Sequence, residues 1–371
     1  MKQTPPGLRF LDDAIADTEQ RHLLRVRPAP LDEAEVTFCS NDYLGLARRP
    51  PPKRPSGAGA SRLVAGEHVD HLELERAAAD LVGLPEALVF TSGYAANIGL
   101  LSALAGPDDL IISDVLNHAS LVDGARLSRA RIAIVPHLDL SAIERALSER
   151  RSGRAFVVTE SYFSMDADSP DLVALRSLCD HAGAAMVVDE AHALGILGPG
   201  GRGLCAASGV RPDVLTGTFG KSFGAAGAFV AGCPALVTWL WNRARSFVFS
   251  TGLSPAIAAA ALAGIQAAAA EPERRDRALA SARQLREGLT AAGARPFGFG
   301  HVIPWIIGDT AAALRASNAL RSAGIDVCAI RPPSVPQGTA RLRFATTASH
   351  RGSDIERAVE VVAAVTKRGR P

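Results

Sequence analysis

Cysteine is scarce in this chain of 371 residues: Cys39, Cys179, Cys205, Cys233 and Cys328 are scattered, odd in number and form no C-x-x-C pair. That excludes a disulfide scaffold and argues against a metal site such as zinc, leaving reduced thiols in a cytoplasmic protein as the expectation. An excess of one charge is missing too. Forty Lys and Arg against 38 Asp and Glu leave a net charge of +2, so neither nucleic acid nor an anionic membrane is expected as a partner. Long apolar runs are absent. The most apolar, AIAAAALAGI at 256 to 265, is far short of the roughly 20 residues that span a bilayer and reads as a buried Ala-rich helix. Asp12, Asp13 and Asp17 interrupt the apolar residues near the N-terminus, unlike a signal peptide. A soluble protein is expected. No internal repeat is visible.

What is present is a globular composition, 47% apolar and 21% charged, at a length that suggests about two domains. Residues 8 to 27 carry Leu8, Leu11, Ile15 and Leu23 or Leu24 at helical spacing and end in Arg21, Arg25 and Arg27 before Pro28, which predicts one amphipathic helix. The basic cluster reads either as a solvated helix end or as a clamp for a carboxylate or phosphate. A short strand and turn, VTFCSNDYLGLA, precede a Pro-rich link at 50 to 55 and GAGASRLVAG. From residue 87 the chain alternates: ALVF, DLIISD, RIAIVPH, AFVVTES and AAMVVDE read as strands with helical blocks between most of them. Such alternation predicts a mostly parallel sheet with helices on both faces. After GAFVAG, helical segments continue to about 288, and GHVIPWIIG, DVCAI and ARLRF then supply strands of a small α+β domain. The expected division is an N-terminal helix and arm at 1–50, a large domain at 51–270 and a small C-terminal domain at 271–371.

Two stretches organise the chain. AAMVVDEAHALG, 184 to 195, is an apolar strand that ends in Asp189, Glu190 and His192. DVLTGTFGKSFG, 213 to 224, sets Lys221 among glycines and hydroxyls, an uncharged setting in which a lysine loses its proton more easily and becomes a nucleophile. Rival motifs exist here. Gly220-Lys221-Ser222 ends like a P-loop, but Leu215 stands where the first glycine belongs. DEAH resembles a helicase box but precedes the lysine. Gly198 to Gly203 fits G-x-G-x-x-G, yet with a proline in its turn it reads as a flexible connection. Gly220 to Gly224 matches the G-x-S-x-G elbow, which would make Ser222 a hydrolase nucleophile with Asp309 or Asp326 and His350 downstream. Thr91-Ser92-Gly93-Tyr94 opens a helix and suits an anion, or is an ordinary cap. One cofactor fits Lys221, Asp189, His192 and that helix start together: pyridoxal 5′-phosphate (PLP), with Lys221 at its aldehyde, Asp189 at its pyridine nitrogen and His192 near its ring oxygen.

The chain resembles the α-oxoamine synthases, PLP enzymes of the aspartate-aminotransferase fold (fold type I, α/β). The resemblance is carried by NDYLGL (41 to 46), GASRLVAG, TSGYAAN, NHASLVDGA, TESYFSMDAD, VDEAH, GRG, TFGKSFG and AIRPPSVPQGTARLR (329 to 343). The last run is similar to the oxononanoate-forming branch rather than the aminolevulinate, aminooxobutyrate or sphingoid-base branches. The resemblance implies a catalytic set of Lys221, His118, Asp189 and His192, with His118 stacked on the cofactor ring. It implies cofactor contacts from Gly93, Tyr94, Ser164 and Thr218, and from Ser250 and Thr251 across a homodimer. It places Arg25, Asn41, His118, Ser334 and Arg343 at the substrates, Arg343 on the amino-acid carboxylate. Ser334 replaces a common threonine, Tyr94 a frequent phenylalanine and Glu190 an aspartate; none touches the chemistry. The implied reaction condenses L-alanine with a pimeloyl thioester, carried by coenzyme A or acyl carrier protein, with loss of carbon dioxide. Another branch using glycine or serine, and more distantly a hydrolase, are the alternatives.

Overall fold

The structure is a computed structural model that describes residues 4–27 and 36–367. The chain divides into two compact units, one of residues 41–280 and 347–349, the other of 1–40, 281–346 and 350–371. The helix Pro272–Ala291 carries the chain from the first into the second. It does not continue the Ala-rich helix Pro255–Ala270. Glu271 leaves helical geometry between them, and Pro272, which has no N–H to bond backwards, starts the new helix.

The larger unit is built on a seven-stranded sheet in the order Glu86–Phe90, Ala228–Gly232, Val214–Thr218, Ala185–Asp189, Ala155–Glu160, Leu110–Asp114, Arg131–Val135. Six of these run in one direction, five of them side by side in parallel pairs as the β–α alternation predicts. Their apolar runs are continuous because helices cover both faces. Alternate side chains sort accordingly: Ile111, Phe156, Val158 and Val187 enter one core, and Ile112, Val157, Met186 and Val188 the other. Ala228–Gly232 is antiparallel to both neighbours. The connection leading to it, residues 219–227, is shorter than the dozen or so residues a parallel return requires. Lys221 therefore sits on a hairpin, not on a strand-to-helix turn.

The smaller unit has a three-stranded antiparallel sheet with Ala340–Ala345 between Cys328–Ile330 and Val302–Gly308. A short parallel pair joins Val36–Thr37 to Ile325–Asp326. The helices Thr310–Ser322 and Gly352–Lys367 close its core around Phe38, Leu342, Phe344 and Ile355. The single helix expected over residues 8 to 27 is shorter: a 3-10 turn, Pro6–Leu8, then Phe10–Gln20. His22 takes φ 56°, and the N–H groups of His22 and Leu23 bond back to the carbonyls of Glu19 and Thr18, closing the helix in a Schellman turn. Pro28, expected to stop it, lies outside the described residues. Among the described residues no helix is long and apolar enough to cross a membrane.

Candidate active site

Parallel sheets deliver side chains at the carboxyl ends of their strands, and two acids emerge there side by side. Glu160 and Asp189 end adjacent strands and face each other in register. Both are nearly buried. Asp189 is held on both oxygens: one accepts the Ala191 N–H at 2.8 Å, the other the Asn97 side-chain amide at 2.8 Å. Asn97 belongs to the helix Gly93–Leu104 and gives its other amide proton to Ser120 Oγ at 2.9 Å. Ser120 Oγ lies 2.7 Å from His118 Nδ1, which also accepts the Ser120 backbone N–H at 3.2 Å. Two donors on one nitrogen assign the neutral tautomer with the proton on Nε2. A continuous chain of hydrogen bonds thus links Asp189 to His118.

Glu160 completes the arrangement by accepting the His118 backbone N–H at 2.7 Å, which fixes the residue that caps helix Ala119–Ser128. Burial, and then the neighbouring Asp189 charge, push the Glu160 carboxyl up to about 8, with Lys221 opposing. For His118, desolvation lowers the pKa, with Asp189 opposing and Lys221 assisting. Lys221 is half-buried on a hairpin closed by Gly224 N–H to Lys221 O at 3.1 Å and Phe219 N–H to Gly227 O at 2.9 Å. Gly224 has φ 66°, and a Cβ there would meet the Leu46 carbonyl carbon at 2.4 Å, so the turn requires glycine. Thr218 braces the same hairpin: its hydroxyl donates to Gly227 O at 3.0 Å and accepts from the Gly220 N–H at 3.2 Å.

His192 is buried in the turn after Asp189, with Nδ1 2.7 Å from Tyr43 Oη, and that hydroxyl donates to Asn41 Oδ1 at 3.0 Å. Asn41 thus joins His192 through Tyr43. Ser92 caps helix Gly93–Leu104 by accepting the Ala95 N–H at 3.1 Å, so the Gly93 and Tyr94 N–H groups have no intrahelical acceptor. A Cβ on Gly93 would meet nothing within 4 Å, so there is open space beside this helix start. The Tyr94 hydroxyl turns away to Asp123, 2.6 Å distant. Ser164 is buried in the loop after Glu160, and Ser250 and Thr251 follow the helix Arg245–Val248 at the surface. In the smaller unit, Arg25 donates to Ser334 Oγ at 3.0 Å, bringing together two residues 309 positions apart. Arg343 is buried on the central strand Ala340–Ala345.

The rival readings fare worse. Ser222 is buried and its Oγ has no hydrogen-bond partner among the described residues, so no base activates it. Asp309 caps a helix at Ala312 N–H, and Asp326 accepts from Thr37. The run Gly198 to Gly203 is a close-packed turn rather than a loose connection: a Cβ on Gly203 would meet the Glu190 carboxylate at 2.0 Å. Glu190, the second acid of DEAH, accepts the Leu204 N–H at 2.7 Å and the Cys205 N–H at 3.0 Å and is thereby structural. Glu160, Asn97, Ser120 and Tyr43 are the site residues the sequence reading did not single out. The one available signal was that Glu160, like Asp189, ends an apolar strand.

The residues present fit PLP by the chemistry of their donors. An amine, a doubly anchored carboxylate, a neutral imidazole and unpaired helix-start N–H groups are what an aldehyde, a pyridinium nitrogen, an aromatic face and a phosphate require.

A family model described as aminotransferase class I and II matches residues 33–362. The chain is 46% identical over 349 residues to an 8-amino-7-oxononanoate synthase of Anaeromyxobacter dehalogenans, covering 90% of this chain and 86% of that one. Serine palmitoyltransferase from S. paucimobilis with bound PLP–myriocin superimposes with a TM-score of 0.91 at 27% identity, covering 99% of both chains. An 8-amino-7-oxononanoate synthase from Francisella tularensis superimposes with a TM-score of 0.77 at 25% identity, covering 91% of this chain and 99% of that one.

Proposed function

The chain belongs to the class I and II aminotransferase family, and from that premise we propose that it is a PLP-dependent C-acyltransferase joining L-alanine to a pimeloyl thioester. The products are 8-amino-7-oxononanoate, carbon dioxide and the free thiol carrier, a step of biotin biosynthesis. The observation that carries the reading is the anchored carboxylate of Asp189 at the end of the strand beside the one that leads into the Lys221 hairpin, in a chain 46% identical to a synthase of that name.

When bound, PLP supplies an electron sink that tolerates negative charge at the amino-acid Cα. The protein's part is binding, orientation and proton traffic. Lys221 holds the cofactor and moves the proton at the alanine Cα. Asp189, held in position by Asn97 and the Ala191 N–H, pairs with the pyridine nitrogen and keeps that nitrogen protonated. Two unit charges about 3 Å apart attract by roughly 5 kcal/mol at an effective dielectric near 20, before desolvation is subtracted. His192, oriented by Tyr43, serves the ring oxygen. His118 lies against the ring face, neutral and with its free proton on Nε2. The Gly93 and Tyr94 N–H groups, Thr218 and Ser164 take the phosphate and other polar groups. Arg343 grips the alanine carboxylate, since a guanidinium matches that planar anion with two parallel bonds. Arg25, with Ser334, meets the acyl substrate, and Asn41 contributes to substrate binding. Ser250 and Thr251 serve the second active site of a cytoplasmic homodimer.

The test is release of free thiol from pimeloyl-coenzyme A by the PLP-loaded protein. Release that needs L-alanine and is slower with glycine or serine is the expected result. Faster release with glycine or serine moves the chain to another branch, and release without any amino acid makes it a hydrolase. Repeating the assay with pimeloyl-acyl carrier protein identifies the carrier.

A further inference from the structure

Two of the five cysteines meet in the smaller unit. The parallel pair Val36–Thr37 and Ile325–Asp326 is in register, Thr37 opposite Asp326, and the Thr37 hydroxyl donates to the Asp326 carboxylate at 2.9 Å. The two side chains therefore share a face. The chain bends at Phe38, where the Cys39 N–H turns back to Thr37 Oγ at 3.2 Å, and Cys39 and Cys328 each stand two positions beyond the paired residues at the same end of the pair. Phe38 N–H to Asp326 O at 2.8 Å continues the pairing toward them. The two thiols are hydrogen-bonded to each other. Cys328 is exposed and Cys39 half-buried behind it. On its other side, Cys328 faces Arg343 across the antiparallel sheet.

We propose that Cys39 and Cys328 form a two-electron redox site, in which a hydroperoxide oxidises Cys328 and Cys39 then closes an intramolecular disulfide. The Cys328 thiolate attacks the peroxide: an S–O bond forms, the O–O bond breaks, and the departing oxygen leaves as water or alcohol after taking a proton. The Cys39 sulfur then attacks that sulfenic acid, expelling water. Two thiols are oxidised and one peroxide is reduced. The electrostatics distribute the roles. The bond from the Cys39 thiol pulls Cys328 down to about 7 against the opposing effect of burial; Arg343 and Arg331 assist and Asp326 opposes. The same bond, then burial and Asp326, push Cys39 up, so it keeps its proton until the second step. A thiol at 7 is about half thiolate at neutral pH, against roughly 3% for an ordinary thiol near 8.5.

The test uses the PLP-loaded wild-type protein treated with hydrogen peroxide, blocked with iodoacetamide and digested without reductant. A linked peptide pair carrying Cys39 and Cys328, two hydrogens lighter than the separate peptides and released by dithiothreitol, is expected. Without peroxide, Cys328 should alkylate at pH 7 about tenfold faster than exposed Cys233. Cys39→Ser should leave a dimedone-reactive sulfenic acid on Cys328, and Cys328→Ser should leave Cys39 unoxidised. Free Cys39 and Cys328 under conditions that oxidise Cys233, or equal alkylation of Cys328 and Cys233, would overturn the proposal. One consequence rests on the function proposed above: with Arg343 on the alanine carboxylate, the disulfide raises the KM for alanine more than it lowers kcat. A linked peptide without that change refutes the placement of Arg343 and leaves the redox site standing.

Discussion

Arg62 and Lys221 are both cations drawn into the larger unit, and their surroundings meet them in opposite ways. Arg62 is 4% exposed, yet its guanidinium bonds Glu67 at 2.9 and 3.1 Å and Glu75 at 2.8 Å, with its plane over Trp241 and Phe247. Glu75 also takes the Val89 N–H at 2.9 Å. Charge, hydrogen bonds and ring contacts close on themselves, as buried ions require. The Lys221 charge instead acts on Glu160, which lies level with Asp189 in the adjacent strand and is pushed by burial, and then by Asp189, to about 8. Competition for protons among near neighbours is the condition of a chemical site, and saturation is the condition of a structural one. The Arg62 cluster supports; the Lys221 cluster reacts.

Substituting the two cations breaks the comparison most directly. Lys221→Ala should lose activity by about 10⁴-fold or more, together with the visible absorption of lysine-bound cofactor, while the thermal unfolding of the cofactor-free protein stays within about 1 kcal/mol of wild type. Arg62→Ala should do the reverse. It leaves Glu75 buried without its counter-charge, and urea unfolding should register a loss of about 3–5 kcal/mol. A lysine variant that unfolds, or an arginine variant that is stable, would refute the division.

Glu160 sharpens it. Glu160→Gln keeps an oxygen for the His118 N–H but cannot ionise, and Glu160→Ala keeps neither. A buried acceptor removed from its donor costs about 1–3 kcal/mol, so kcat/KM should fall roughly tenfold to a hundredfold in the alanine variant and by only a few-fold in the glutamine variant. Equal losses in both variants would mean that the Glu160 charge, not its hydrogen bond, is what matters.

The strands were readable because a sheet covered on both faces writes itself as apolar runs, and Asp189 and His192 because they end such a run abruptly. Lys221 was readable by its uncharged neighbours. Glu160 ends a run just as plainly, but nothing in one sequence says that its strand lies beside that of Asp189. The link from Asp189 to His118 was hidden for the same reason: Asn97 is 92 positions from Asp189 and 23 from Ser120, and only the folded helices bring them together. The helix ending at Gln20 was over-read because His22, rather than glycine, adopts the left-handed turn that stops it.

His137 tests the saturated side of the comparison with a group that titrates. Its Nδ1 lies 3.0 Å from one Asp114 oxygen, its Nε2 3.1 Å from Asp168, and Phe163 meets the ring edge-on with centroids 4.5 Å apart. Burial acts to lower its pKa, but the hydrogen bonds it donates to both carboxylates outweigh it and raise the group to about 10. Unfolded, a histidine titrates near 6.5. The folded protein therefore holds a proton that the unfolded chain has lost between those values, and unfolding free energy falls as pH rises through that window. The stabilisation is complete below about pH 6.5 and gone once pH has passed about 10. His137→Gln, which cannot carry the charge, should be less stable by about 1–3 kcal/mol at pH 6, with the gap closing steadily toward pH 10. Urea unfolding of both proteins at a series of pH values measures it. A gap that is constant with pH would mean that His137 serves these aspartates as a neutral donor; a gap that narrows makes it, like Arg62, a cation whose partners are satisfied.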